Sequence, residues 1–208
     1  MNADLAVVVL AGGEGRRMGG DKPRRPWGGT TLVARALDQA RGYGHAGAVA
    51  LAVRDAAQVA GAVIARLLLD DPDIEGPLAG LGAALAFARE IGAPGVLTMP
   101  CDAPRLPADL AVRLRTKLGP SIGVAVARSG GQLHPTCALW RAVAADALPA
   151  FLATGRRSLH GFAAALGMAA VDWAVDPFDP FANANTPDQL HALQPIGAPT
   201  ASPNLHYA

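Results

Sequence analysis

Short apolar runs alternate with longer stretches of helical character through the first half of the chain. The runs at 5–10, 48–53, 67–69 and 95–99 are rich in Val, Leu and Ala and carry no charge. Such runs predict strands buried on both faces, as in a parallel sheet. The stretches at 31–41, 56–64 and 78–90 predict helices between them. This alternation predicts an α/β fold with a mostly parallel sheet.

The second half of the chain continues the alternation of strands and helices but also contains a predicted hairpin. Helices are predicted at 107–118, 141–152, 158–166 and 187–193, and strands at 121–127, 133–140 and 169–175. Ser129, Gly130, Gly131 and Gln132 predict a hairpin turn, so the sheet should be mixed. The expected organisation is one domain over residues 1–194. Residues 195–208 have several Pro and no apolar period, which predicts a mobile tail.

Composition narrows the class of protein. The chain has 208 residues, 51% hydrophobic and 17% charged, which predicts a folded domain with a sizeable core. A net charge of +1 gives no electrostatic case for binding nucleic acid or a membrane surface. No apolar stretch reaches membrane-spanning length, and the two cysteines lack metal-binding spacing. We expect buried thiols and a cytoplasmic protein.

A glycine-rich loop follows the first strand and is the strongest sign of function. Residues 5–22 read LAVVVLAGGEGRRMGGDK, so the chain turns at Gly12 and Gly13 and then carries Arg16, Arg17 and Lys22. Glycines let backbone N–H groups converge on a ligand, and the nearby cations favour phosphate. Neither the P-loop spacing nor the dinucleotide-binding glycine pattern is present.

Acidic residues follow two further strands at the same predicted edge. Asp70 and Asp71 end the third apolar run, and a carboxylate there can accept the N1–H and N2–H donors of guanine. Asp102 follows the fourth run, and one carboxylate beside phosphates suits Mg²⁺. In open parallel sheets, ligands bind beyond the carboxyl ends of the strands. These segments together predict a site for a nucleoside triphosphate with Mg²⁺.

Two reactions are open to such a site, namely transfer of the γ-phosphoryl group and transfer of the nucleotidyl group. No kinase motif is present. Nucleotidyl transfer to an existing phosphate needs no general base, because that nucleophile is already anionic. It needs charge neutralisation and in-line placement, which Lys22, Arg17 and a metal held by Asp102 would supply.

Six motifs in order resemble those of the molybdenum cofactor guanylyltransferase family, which joins GTP to molybdopterin. They are LAGG at 10–13, RRMGGDK at 16–22, GPLAG at 76–80, PCDAP at 100–104, HPT at 134–136 and NANTP at 183–187. The related cytidylyltransferases resemble LAAG at the first motif. In two places the chain departs from the family pattern, since Gly20 directly precedes Asp21 and Arg54 stands where an Asn is frequent.

The resemblance implies a Rossmann-like, three-layer nucleotidyltransferase fold and dependence on Mg²⁺. It assigns Leu10, Ala11, Gly12 and Gly13 to nucleotide contact, Lys22 to the phosphates, Asp70 or Asp71 to GTP, and Asp102 to GTP and Mg²⁺. It also suggests a molybdoenzyme or its chaperone as a partner. Two alternatives remain open, a nucleotidyltransferase with another base or acceptor, and a GTP-binding regulatory protein without turnover.

Overall fold

A computed structural model describes residues 4–13, 22–59, 61 and 65–194. Its centre is a seven-stranded sheet in the order β5-β4-β1-β6-β8-β7-β9, and a two-stranded hairpin, β2–β3, lies apart from it. The strands are β1 Ala6–Leu10, β2 Pro26–Trp27, β3 Thr30–Thr31, β4 Val49–Val53, β5 Arg66–Leu69, β6 Gly95–Pro100, β7 Val124–Ser129, β8 Gln132–Arg141 and β9 Met168–Trp173.

The strands that carry the predicted site residues run parallel. β1 pairs in parallel with β4 and β6, and β4 pairs in parallel with β5. In this register Leu10 lies beside Ala52 on one side and Pro100 on the other. Whatever follows these residues therefore emerges at one edge. β8 is antiparallel to both β6 and β7, so the sheet is mixed, as predicted.

Helices cover both faces of the sheet and complete three layers. One apolar core lies between the sheet and helices α1 and α3, and a second lies under α2, α4 and α5. Alternate residues of β1 supply the two cores, because successive side chains on a strand point to opposite faces. The helices are α1 Leu32–Tyr43, α2 Pro77–Glu90, α3 Leu110–Arg115, α4 Ala144–Ala153, α5 Leu159–Ala165 and α6 Pro187–Ala192.

The predicted hairpin turn joins β7 to β8. Gly130 and Gly131 have φ angles of 52° and 80°, a left-handed conformation that favours glycine. Two such residues in succession match the twist of the strands on either side. The turn directs β8 back along β7, and the other side of β8 pairs with β6.

Two local expectations were wrong, and one element was missed. The helix expected at 107–118 is confined to Leu110–Arg115, with turns on either side. Of the helix expected at 56–64, the described part is a 3-10 turn over Ala56–Val59, and residues 60 and 62–64 lie outside the described residues. The hairpin β2–β3 was not predicted, because two-residue strands show no apolar period.

A third, smaller apolar core joins this hairpin to the end of the chain. Trp27 and Leu32 pack with Ala184, Leu190 and Leu193. The expected tail at 195–208 lies outside the described residues. No helix in the described part of the chain is both long and apolar enough to cross a bilayer.

Candidate active site

A cavity of about 300 Å³ opens at the carboxyl ends of the parallel strands. It is bounded by the first loop, the starts of the segments after β4, β5 and β6, and the N-terminus of α2. The predicted site residues on its wall are Leu10, Ala11, Gly12, Gly13, Lys22, Asp70 and Asp102; its other lining residues include Arg54, Gly76, Pro77, Gly80, Thr136 and Asn183. The first loop, Lys22, Asp70 and Asp102 thus meet at one edge of the sheet, as the strand order predicted.

Lys22 and Asp102 are in direct contact on this wall. The Lys22 ammonium donates a hydrogen bond to Asp102 Oδ2 and a second one, of 2.9 Å, to Asn185 Oδ1. Only 14% of the Lys22 side chain and 12% of the Asp102 side chain are exposed, so water screens this pair weakly. The amide of Ala184 also donates to the Asp102 carbonyl, at 3.0 Å. The NANTP segment, residues 183–187, therefore holds both charged residues in place.

The hairpin after Lys22 fixes where the lysine backbone lies. Pro23 is buried, and the Trp27 indole donates a 2.9 Å hydrogen bond to the Leu193 carbonyl. The Gly28 amide donates to Gln194 Oε1, also at 2.9 Å. These contacts fasten the hairpin to the residues that follow α6. The position of Lys22 thus depends on the last described residues of the chain.

Asp70 lies on the opposite side of the first loop from Lys22. Its amide donates to the Val53 carbonyl at 2.9 Å, which extends the β4–β5 ladder by one residue. Asp70 Oδ1 is buried and has no hydrogen-bond partner among the described residues. Burial raises the pKa of this carboxyl above its ordinary value, and the charge of Arg54 partly opposes that shift. Leaving a buried oxygen without a hydrogen-bond partner costs free energy. This oxygen is therefore a candidate acceptor for a hydrogen-bond donor on a ligand.

Asp71 is placed differently. It is exposed, its Oδ1 accepts a 2.9 Å hydrogen bond from the Asp73 amide, and it does not line the cavity. Such a bond closes a local turn. Of the two candidate aspartates, it is Asp70 that faces the cavity.

Two glycines make room for this arrangement. A Cβ atom on Gly12 would lie 2.2 Å from Asp70 Oδ2, closer than any side chain tolerates. A Cβ on Gly80 would lie 3.1 Å from Leu10 Cδ2 and 3.5 Å from Asp70 Oδ1. Glycine at these positions therefore lets the first loop and α2 close around the Asp70 carboxylate.

The N-terminus of α2 forms another part of the wall. Its N-cap, Gly76, makes no side-chain hydrogen bond to the first turn, and Pro77 occupies the first helical position. The first amide groups of a helix carry partial positive charge, which favours an anion or an acceptor oxygen nearby. This end of α2 therefore adds to the positive potential that Lys22 and Arg54 give the cavity.

The backbone of the first loop is held by the neighbouring strands. The Ala11 amide donates to the Ala52 carbonyl at 2.8 Å, and the Cys101 amide donates to the Leu10 carbonyl at 3.2 Å. Gly13 is exposed at the mouth of the cavity. Arg17 belongs to residues 14–21, which lie outside the described residues. The first part of the loop is thus rigidly joined to the sheet.

Cys101 and Cys137 are buried and form no disulfide. Burial raises the pKa of the Cys101 thiol to about 12, and the pKa of Cys137 is also raised by burial. Both are therefore protonated thiols near neutral pH, as expected for small buried side chains, and neither is an activated nucleophile.

The site suits a divalent cation that arrives with its nucleotide. Asp102 presents a carboxylate at the cavity wall, 8% of the residue being exposed. Within the described residues, no three His, Cys, Asp or Glu side chains form a metal cage. Mg²⁺ is typically bound through one or two carboxylates plus substrate phosphates, so this donor set fits it.

Some residues in and beside the cavity were not predicted from the sequence. Asn185 was explained there by turn chemistry, yet its side chain also holds Lys22. Asn183 and Thr136 line the cavity, and their signal was their place in the NANTP and HPT motifs. Arg54, noted only as a departure from the family pattern, lines the cavity as well.

Comparison with known proteins gives a consistent result. Residues 7–173 match the family model described as MobA-like NTP transferase domain. The chain is 41% identical to the molybdenum cofactor guanylyltransferase of Rhodopseudomonas palustris, over 91% of this chain and 92% of that one. It is 42% identical to the protein of the same name from Acidiphilium cryptum, over 91% and 94%.

A solved structure resembles the fold closely. Molybdopterin-guanine dinucleotide biosynthesis protein A from Archaeoglobus fulgidus superposes with a TM-score of 0.71 and 24% identity, over 90% of this chain and 95% of that one. The α/β nucleotidyltransferase fold expected from the motifs is therefore confirmed. The chain belongs to the MobA-like NTP transferases and, among them, to the molybdenum cofactor guanylyltransferase family.

Proposed function

We propose that this protein transfers GMP from GTP to the terminal phosphate of molybdopterin and releases pyrophosphate. An oxygen of the acceptor phosphate forms a bond to the α-phosphorus of GTP. The bond from that phosphorus to the bridging oxygen breaks, and its electron pair leaves with pyrophosphate. The observation that carries the proposal is the convergence of Lys22, Asp102 and Asp70 on one cavity in a chain of this family.

Asp70 would select the base. Its buried Oδ1 lacks a partner among the described residues, and guanine offers two adjacent donors, N1–H and N2–H. Adenine and cytosine present an acceptor beside their amino group and would leave the carboxylate facing a lone pair. A site built to accept hydrogen bonds rejects analogues that lack the donors. Asp71, which is turned to solvent, would contribute little.

Lys22 and Asp102 would act at the phosphates. Lys22 would neutralise charge on the triphosphate and on the approaching acceptor phosphate, which otherwise repel each other. Asn185 and the hairpin hold the lysine in place, so little reorganisation is needed as charge develops. The amides of Leu10 to Gly13 would add donors on the same side. Arg17 would add a further cation to the same phosphates.

A divalent metal, proposed to be Mg²⁺, would be held by Asp102 together with the nucleotide phosphates. When bound, it would supply charge neutralisation at the α-phosphate and the leaving pyrophosphate. The Asp102 carboxylate would hold this ion, while the Ala184 amide fixes the backbone of the same residue.

Pyrophosphate release tests the proposal. The purified chain is incubated with Mg²⁺, molybdopterin and GTP, CTP or ATP, and pyrophosphate is measured in a coupled assay. We expect release with GTP and a loss of release in Asp102→Asn and Lys22→Ala. Asp71→Asn is the matched control for a carboxylate outside the cavity. Turnover with CTP and none with GTP would refute the assigned base.

Two other functions are separated by the same assay. Release with GTP and another phosphorylated acceptor, but not with molybdopterin, would keep the chemistry and change the acceptor. Tight GTP binding without pyrophosphate under any acceptor would indicate a regulatory protein. The intact Lys22–Asp102 pair favours turnover, because binding alone needs no metal ligand at the α-phosphate.

The product of this reaction would be a cofactor for other enzymes, and we propose that a molybdoenzyme or its chaperone receives it in the cytoplasm. A pull-down with the tagged chain in the presence of GTP and molybdopterin tests this. Failure to recover any molybdoenzyme or chaperone would count against direct delivery.

A further inference from the structure

A second cavity, of about 230 Å³, adjoins the nucleotide cavity. The two share Pro100, Thr136 and Asn183 in their walls. The rest of the second cavity is formed by the first part of β8, including His134, and by residues 179–183, including Asp179. It lies beyond the end of β6, next to Asp102 and across the nucleotide cavity from Asp70.

A hydrogen-bond network fixes the imidazole that faces this cavity. Ser129 Oγ donates to Asp179 Oδ1 at 2.8 Å and lies 2.7 Å from His134 Nε2. A serine hydroxyl has a single proton, and here Ser129 donates it in the hydrogen bond to the Asp179 carboxylate, which can only accept. His134 Nε2 must therefore be the donor to Ser129 Oγ. The network selects one tautomer and leaves the lone pair of a neutral imidazole on Nδ1.

Packing holds the ring in the same orientation. The His134 ring stacks on Phe181, with centroids 4.9 Å apart and planes inclined by 16°. Phe181 is itself 3% exposed and packs edge-on against Trp173. Burial lowers the pKa of His134 below its ordinary value, although the charge of Asp179 opposes the shift, so the neutral form prevails at neutral pH. Nδ1 has no hydrogen-bond partner among the described residues.

We propose that the second cavity binds the ring system of the acceptor and that His134 Nδ1 accepts a hydrogen bond from a ring N–H. This inference rests on the proposed function, in which the acceptor is a reduced pterin that carries a phosphate. A reduced pterin ring bears several N–H donors, whereas its phosphate bears acceptors alone. A fixed, neutral imidazole is therefore matched to the ring rather than to the phosphate.

The location agrees with the geometry of the reaction. The acceptor phosphate must approach the α-phosphorus from the side opposite the leaving pyrophosphate. The wall shared by the two cavities includes Pro100, two residues before Asp102, which is proposed to act at the phosphates. An acceptor with its phosphate at this wall would place its ring in the second cavity. The purine ring would lie at the other side, near Asp70, so that the two ring systems occupy separate cavities.

The closing experiment measures acceptor and nucleotide separately in the full chain. Binding of molybdopterin without GTP is measured by equilibrium dialysis under anaerobic conditions, GTP binding is measured by calorimetry, and pyrophosphate release gives KM and kcat. The variants are His134→Phe, which keeps an aromatic ring but no acceptor, His134→Gln, which keeps an acceptor oxygen, and Ser129→Ala. The matched control is His160→Phe, on the exposed side of α5.

We expect His134→Phe to weaken molybdopterin binding and raise its KM about tenfold, the usual effect of losing one hydrogen bond. GTP affinity and kcat should stay unchanged. His134→Gln should recover part of the affinity, and Ser129→Ala should fall between it and wild type because the tautomer is no longer fixed. His160→Phe should match wild type.

The inference would be overturned by unchanged molybdopterin affinity in both His134→Gln and Ser129→Ala, or by an equal loss of GTP affinity. The Gln and Ala variants keep the test decisive if the Phe variant does not fold. Wild-type protein that binds molybdopterin but releases no pyrophosphate would refute the proposed function while the variants still judge this inference. Wild-type protein that binds no molybdopterin would refute the inference itself.

Discussion

Lys22 and Asp102, which are 80 residues apart in the sequence, form a hydrogen-bonded ion pair in the wall of the nucleotide cavity. The lysine follows a glycine-rich loop and the aspartate follows β6, so the parallel pairing of β1 and β6 brings them together. Removing one member of such a pair leaves the other charge partly buried without its partner. The structure of this part of the cavity wall therefore depends on the two residues that are proposed to act on the phosphates.

The first prediction concerns Asp102. Asp102→Asn keeps the shape and the hydrogen bond from Lys22 but removes the charge that would hold the metal. Pyrophosphate release should fall at least about a hundredfold, as when one preorganised electrostatic group is lost. Metal-free GTP binding, measured by calorimetry, should be retained because a repelling carboxylate is gone. Release within a few-fold of the Asp71→Asn control would contradict the role given to Asp102.

A second prediction couples Gly12 to Asp70. Gly12→Ala should weaken GTP binding, because the new Cβ would lie 2.2 Å from Asp70 Oδ2 and must displace the carboxylate. Asp70→Ala removes both the clash and the acceptor. In the double variant, Gly12→Ala should therefore cost little beyond Asp70→Ala alone. Calorimetric titration of GTP into the four proteins measures the coupling, and additive losses would argue against direct contact between these positions.

The close approach of Gly12 to Asp70 also bears on base choice. It gives a physical reason why residues 10–13 read LAGG here, whereas the related cytidylyltransferases resemble LAAG. Alanine as the third residue of the motif is incompatible with the Asp70 carboxylate in its present position. Gly12→Ala should consequently reduce selection of GTP over CTP, measured as the ratio of their kcat/KM values. A variant that keeps the wild-type ratio would show that base choice is made elsewhere.

The third prediction is that lowering the pH weakens GTP binding but adds stability to the fold. Because burial raises the pKa of Asp70, its charged form is lost at a higher pH than for an ordinary carboxyl. GTP affinity should fall as the pH drops from neutral through that raised pKa, because the protonated carboxyl no longer carries the charge that accepts the guanine donors. The folded chain binds this proton more tightly than the unfolded chain, so acidification adds stability at Asp70 over the same window.

Calorimetry and urea unfolding at each pH check the two trends. In Asp70→Asn the pH dependence of both quantities over this window should flatten, while Asp71→Asn should follow wild type. GTP affinity that keeps its wild-type pH dependence in Asp70→Asn would assign the titration to another group.

The sequence predicted the arrangement of this site because strand order and strand ends decide it. Apolar runs without charge marked β1, β4, β5 and β6, and the polar residues after them had to meet at one edge once those strands were parallel. Which of Asp70 and Asp71 faces the cavity could not be predicted from the sequence. It depends on whether the β4–β5 ladder continues for one more residue, and the Asp70 amide shows that it does.

Other features of the structure could not be predicted, because no pattern in the sequence indicates them. The strands β2 and β3 have two residues each, too few for an alternation of polar and apolar positions to show. The contact between Trp27 and Leu193 joins residues 166 positions apart, which no local rule can detect. His134 is a single histidine on a strand, and its fixed tautomer follows from Ser129 and Asp179, neither of which marks itself in the sequence.

The fourth prediction tests that long-range contact. Trp27→Phe removes the hydrogen bond to the Leu193 carbonyl and part of the third core. The free energy of unfolding should fall by about 1 to 3 kcal/mol. Because the hairpin positions Lys22, kcat should fall as well. Urea unfolding and pyrophosphate release measure the two effects, with the exposed Val143→Ala as control.

A loss of stability with an unchanged kcat would show that Lys22 does not need the hairpin. An unchanged stability would show that the contact between Trp27 and Leu193 contributes little to the fold.

Isotope transfer tests the central claim most directly. The chain is supplied with Mg²⁺, molybdopterin and GTP labelled either at the α-phosphorus or at the γ-phosphorus, and the acceptor is separated and counted. Guanylyl transfer predicts α-label in the modified acceptor and γ-label in pyrophosphate, with transfer reduced at least about a hundredfold in Asp102→Asn. Label from the γ-position in the acceptor, or no label in it at all, would contradict the account.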